Sequence, residues 1–140
     1  MTDYQTLMAE HDRLVVQIDA FERSVEGGDH VAIHRAFAEL SADLIAHLAK
    51  EDSNIYPRLI AGDDIASSDA ALAVIEEFKD LAADWTVLIG WASLEAIKAE
   101  PVRFTSWSQE LVERLRGRVR QENELLYPQA LRAAHIRLRA

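Results

Sequence analysis

The sequence predicts an all-α fold, an up-down-up-down four-helix bundle, on three observations. Apolar residues recur at spacings of three and four along nearly the whole chain, and no alternating run of β-branched residues is long enough for a strand. The breaks between helical stretches are short, which makes successive helices antiparallel neighbours.

The elements follow in order from their start and stop signals. Thr2 and Gln5 have capping-box spacing and open the first helix, which Gly27-Gly28 closes near residue 26. Asp29 is placed to cap the second, which runs to about Pro57 or a turn beyond, until AGDD at 61–64 breaks it. Ser67 or Ser68 caps the third, which stops before Glu100-Pro101 because the residue before a proline is pushed out of the α region. Ser106 and Gln109 repeat the capping-box signal and open the fourth, which reaches Tyr127-Pro128 ahead of a short C-terminal piece.

The 140 residues, 49% apolar, fit a single domain over residues 1–140 that needs neither a disulfide nor a structural metal to fold. Any metal would therefore serve function. The absence of Cys excludes a disulfide framework, thiolate zinc, iron–sulfur clusters and a cysteine nucleophile, and fits a reducing cytoplasm. No apolar run approaches a membrane span, and MTDYQTLMAEHDRL is acidic and polar where a secretory signal would be basic and then apolar. The expectation is a soluble, cytoplasmic protein without membrane contact. The net charge of −9 is uneven: residues 1–102 carry 7 basic and 20 acidic side chains, residues 103–140 carry 8 Arg and 4 Glu. An acidic body argues against nucleic-acid binding, and the Arg-rich end reads as a solvated helix face with Arg118 excepted. The oligomeric state is left open.

Each helix has an inner stripe. The first reads Tyr4, Leu7 or Met8, His11, Leu14, Ile18, Phe21; the second Ile33, Phe37, Leu40, Leu44, His47, Glu51, Ile55. The third, Ile75, Phe78, Ala82, Trp85, Ile89, Ala92, is apolar throughout; the fourth reads Val112, Leu115, Arg118 or Val119, Glu122, Leu126. Ionisable groups are almost never buried unless paired or metal-bound, so His11, His47, Glu51, Arg118 and Glu122 mark the candidate site. His47 and Glu51, like Arg118 and Glu122, are four apart, which stacks both side chains on one helix face. The pairs also belong to an internal echo: LIAHLAKEDSNIYP at 44–57 aligns with LRGRVRQENELLYP at 115–128, with His47 opposite Arg118, Glu51 opposite Glu122 and Asp52 opposite Asn123.

EHDRL at 10–14, His47-x-x-x-Glu51 before Tyr56-Pro57, and the second Tyr-Pro at 127–128 together resemble the hemerythrin-like, or HHE cation-binding, domains over essentially the whole chain. The resemblance implies a di-iron site in which one iron takes histidines of the first two helices and the other those of the third and fourth, with bridging carboxylates from the second and fourth. Carried over, His11, His47, Glu51 and Glu122 remain. Phe78 stands about where a third-helix His is expected, and Arg118 where the fourth-helix His would be.

The implied site is reduced, holding at most one divalent ion, Fe, Mn or Zn, and is unsuited to oxygen carriage. The alternative is a metal-free polar network in which Arg118 bridges Glu51 and Glu122, within a regulatory module that binds a protein partner. A mononuclear metalloenzyme is the weakest reading, since no second catalytic constellation is visible. Elsewhere, Glu77, Asp80 and Asp84 read as an exposed acidic face, and His30 with His34 as an exposed pair about 140° around the helix from His47. His135 has no recognisable partner. Tyr56 and Tyr127 could orient a core carboxylate through their hydroxyls, although core packing beside helix-ending prolines is the preferred reading. Trp85 and Trp107 read as packing residues, and Trp91, off the main stripe, as a candidate partner surface.

Overall fold

A computed structural model describes residues 4–61 and 65–128, and every element among them is helical. Thr2, residues 62–64, His135 and the expected C-terminal piece lie outside the described residues, as does the side chain of Tyr4.

Helix α1 (Tyr4–Gly27) ends where Gly28 adopts φ +77° and turns its N–H back to Ser24 and Val25 carbonyls. Asp29 caps α2 (His30–Lys50) by accepting the N–H groups of Val31 and Ala32. The rod then continues through a π turn, Glu51–Ile55, into α3 (Tyr56–Ala61). Pro57 therefore does not end the helix. A proline lacks an N–H and its ring crowds the carbonyl four residues back; the turn widens instead, with the Tyr56 N–H bonded to the Glu51 carbonyl five residues earlier.

The third helical stretch differs most from expectation. Helix α4 (Ile65–Phe78) begins before either serine proposed to cap it. Ser68 instead donates its hydroxyl to the Leu59 and Ile60 carbonyls, satisfying the end of α3. The chain breaks at Lys79-Asp80 and again at Ala92-Ser93, giving α5 (Leu81–Trp91) and α6 (Leu94–Ala99), the latter capped by Ser93, whose Oγ accepts the Ala96 N–H. Helix α7 (Pro101–Gln121) starts at Pro101, where the missing N–H costs nothing, and Ser106 with Gln109 falls inside it. A second π turn, Glu122–Leu126, carries the rod through Tyr127 and Pro128.

Two apolar clusters hold these rods together. The larger gathers Leu14, Phe21, Phe37, Leu44, Trp85, Phe104 and Leu115 with their neighbours; the smaller gathers Leu7, Ile55, Tyr56, Val74, Phe78, Leu126 and Tyr127. Along α1, α2 and α7 the charged stripe positions fall between the two. Ile89, expected inside, is 40% exposed and lines a groove of about 390 Å³ with Phe37, Ala38 and Ala42. The Arg-rich end is also less solvated than expected: Arg114 reaches Asp84 at 2.8 Å, and half-buried Arg116 ties α7 to Asp19 and Glu22 of α1. Arg103 lies over the rings of Trp91 and Trp107. Arg132, Arg137 and Arg139 are outside the described residues.

Candidate metal centre

His11 projects from the middle of α1, His47 from the last turn of α2 and Arg118 from the last turn of α7; Glu51 and Glu122 open the two π turns. All five are at most 4% exposed. Both Arg118 and Val119 are buried, so the two candidates for that stripe position share the interior.

The π turns decide what joins them. In a regular helix Tyr56 would point about 140° away from Glu51; a wider turn takes less rotation per residue and swings it back inward. The result is a crosswise pair: the Tyr56 hydroxyl donates to Glu122 Oε2 and the Tyr127 hydroxyl to Glu51 Oε2. Both readings of these tyrosines therefore hold: their hydroxyls orient the carboxylates, and their rings line the smaller core cluster. The Tyr127 ring stacks on His11 at 5.5 Å between centroids.

One ligand atom from each of His11, His47, Glu51 and Glu122 can be chosen so that all lie within 4.8 Å of one another. His11 Nε2 is 3.0 Å from Glu122 Oε1 and 3.7 Å from Glu51 Oε2, and His47 Nε2 is 3.2 Å from Glu51 Oε1. His11 Nε2, His47 Nε2 and Glu122 Oε1 are buried and make no well-aligned hydrogen bond, so what joins them to the carboxylates is ion pairing, His11 with Glu122 and His47 with Glu51. The opposite edge of each imidazole is held. His11 Nδ1 meets Asn123 Oδ1 at 2.7 Å, and His47 Nδ1 meets Glu10 Oε1 at 2.8 Å. A metal-ligating histidine is fixed in this way, with one nitrogen anchored and the other turned toward the carboxylates that would share the ion.

Arg118 fills the other side. Its Nη2 donates to Glu51 Oε1 at 3.3 Å and to Asp52 Oδ1 at 3.0 Å, its Nε to Glu122 Oε2 at 3.3 Å, and its guanidinium lies over the Tyr56 ring. Phe78, at the position where the resemblance expects a histidine, is buried in the smaller core cluster. Its ring lies 3.2 Å from where a Cβ on Gly117 would sit.

Charge follows from these contacts. Burial lowers the His11 pKa, but the Glu122 and Glu51 carboxylates outweigh it and raise it to about 10. His47 moves upward too, through Glu51 and Glu10 against burial. Burial pushes Glu51 up, yet the contacts with His11 and His47 hold it below the usual carboxylate range. Glu122 is raised to about 7 by burial and by the charge of Glu51.

Glu10, Asn123 and Asp52 were not singled out as site residues by the sequence reading. Signals existed: Glu10 precedes His11, and Asp52 and Asn123 occupy matching positions in the internal echo. Glu77, Asp80 and Asp84 stay outside the ligand group, as do the half-buried His30 and His34. No helix among the described residues is long and apolar enough to cross a membrane.

The hemerythrin HHE cation binding domain model matches residues 2–130, whereas no curated protein and no solved structure matches the chain. A helical bundle, a buried group of two histidines and two glutamates that could hold a metal, and a match over nearly the whole length agree: the chain belongs to the hemerythrin HHE cation-binding family.

Proposed function

We propose that this protein is a cation-binding or cation-sensing module that holds at most one divalent metal ion through His11, His47, Glu51 and Glu122, with Arg118 standing in place of a second ion. The observation that carries the reading is the contrast between the two sides of the carboxylate pair. Toward the histidines, His11 Nε2 meets Glu122 Oε1 at 3.0 Å and His47 Nε2 meets Glu51 Oε1 at 3.2 Å without a well-aligned hydrogen bond, so a metal ion that displaces the imidazole proton finds four converging ligand atoms. Toward α4, Arg118 and the Tyr56 hydroxyl already occupy Glu122 Oε2, and Arg118 also occupies Glu51 Oε1.

Two imidazoles and two carboxylates suit Fe(II), Mn(II) or Zn(II). A bound ion of this kind would supply Lewis acidity and, if it were iron, a one-electron couple. Around it the chain orients both histidines from their Nδ1 edges, holds one oxygen of each carboxylate with a tyrosine hydroxyl, and keeps water out with the two apolar clusters. A single-ion site does not support the exchange shared between two irons that the family resemblance associates with oxygen carriage.

Titration of metal-free protein with Fe(II), Mn(II) and Zn(II) tests this. One ion per chain, abolished in His47→Ala, is expected. Arg118→His is expected to stay at one, because the third helical stretch supplies no ligand; two ions per chain in either protein would overturn the role given to Arg118.

A further inference from the structure

We infer that Glu10, clamped by Lys50, is a positioning residue that locks His47 with Nε2 toward the carboxylate pair and thereby sets the affinity of the site. This rests on the ligand role proposed for His47. Its support is a chain of contacts across the α1–α2 seam. Glu10 Oε1 lies 2.8 Å from His47 Nδ1, and its other oxygen, Oε2, takes the Lys50 ammonium at 2.7 Å. Both carboxylate oxygens are thus committed. The His47 ring can turn only by breaking a bond that the lysine holds in place.

The two ends of this chain have different surroundings. The His47 side chain is 3% exposed, while those of Glu10 and Lys50 are 26% and 42% exposed. All three line a polar cavity of about 180 Å³ between α1 and α2, together with Arg13, Gln17 and Asp43. Removing the carboxylate would enlarge this cavity and let water take over the Nδ1 hydrogen bond. Water brings no fixed direction, so the imidazole would be free to flip its nitrogens. Sequence alone does not expose the arrangement, because Glu10 and Lys50 lie on different helices and nothing in their spacing pairs them. Asn123 gives His11 an equivalent anchor on its Nδ1, but without a cation behind it.

The experiment compares wild type with Glu10→Ala, Glu10→Gln and Asp43→Ala, with Zn(II) alone as the probe in chelator competition. Imidazole nitrogen NMR of His47 is recorded on the same samples. Asp43 lines the same cavity but binds Gln17 and Arg13, and serves as the control. Glu10→Ala is expected to weaken Zn(II) binding roughly 10- to 100-fold, the range for such supporting partners, and to abolish the slowly exchanging Nδ1 proton of His47. Glu10→Gln, whose amide oxygen still accepts from Nδ1, is expected to recover most of the affinity, and Asp43→Ala to match wild type. Affinity within about twofold of wild type in Glu10→Ala, or equal losses in Glu10→Ala and Asp43→Ala, would overturn the inference. If wild type takes up no Zn(II), the proposed function fails, and the metal-free Nδ1 proton then decides. Its loss in Glu10→Ala upholds the positioning role, and its persistence overturns it.

Discussion

Replacing Arg118 with methionine would remove the buried cation while keeping a side chain of similar reach. In the metal-free protein the guanidinium is the permanent positive charge beside Glu51 and Glu122, whose side chains are 0% and 1% exposed. Its bond to Asp52 contributes little, since that partner is 53% exposed. The carboxylates keep His11 and the tyrosine hydroxyls as partners, so the loss is that of buried hydrogen bonds between charged groups, about 1.5–3 kcal/mol, rather than of a fully unpaired charge. At about 3 °C per kcal/mol for a domain of this size, the melting temperature of metal-free Arg118→Met should fall by about 5–9 °C. A divalent ion offers the carboxylates a further partner, and at a hundredfold excess over Kd it would return about 2.7 kcal/mol. The assay is thermal and urea unfolding of wild type and variant, with and without Zn(II). A loss below about 1 kcal/mol in the metal-free variant, closer to the value of a surface ion pair, would refute the buried-clamp argument.

Other expectations concern protons and packing. With its pKa raised to about 10, His11 carries a proton at neutral pH that a metal must displace. Zn(II) loading at pH 7 should therefore release protons, seen as a binding enthalpy that varies with the buffer, and apparent affinity should rise between pH 6 and 9; a pH-independent affinity would contradict this. For the metal-free chain the sign of the linkage is fixed by the same shift. The stability His11 contributes is complete below its ordinary value of 6.5 and is lost as pH rises toward about 10, which pH-dependent unfolding would reveal. Ser41→Ala would strand the indole N–H of fully buried Trp85, now bonded to Ser41 Oγ at 2.9 Å; about 1–3 kcal/mol should disappear in urea unfolding.

The bundle and the four candidate ligands were legible because helical periodicity brought His11, His47, Glu51 and Glu122 onto inner stripes, and burial of ionisable groups demanded a reason. Arg118 was legible for the same reason, through the echo that sets it opposite His47. The breaks at Lys79-Asp80 and Ala92-Ser93 were harder, since neither holds a proline or glycine; the cap signal at Ser93 competes with apolar spacing that continues across it. For Tyr56 and Tyr127 packing outranked carboxylate contact because a 100° step carries them off the ligand face, and only a π turn brings them back. Pro57 and Pro128 were the available hint: each lies one residue beyond the N–H that bonds back five residues, so they mark widened turns rather than helix ends.

The most direct test of the central claim is an anomalous-difference map from a crystal of the protein loaded with Zn(II) or iron. One peak is predicted, bounded by His11 Nε2, His47 Nε2 and the carboxylates of Glu51 and Glu122, with the Arg118 guanidinium beyond it. A second peak on the Arg118 side, or no peak among these four side chains, would contradict the account.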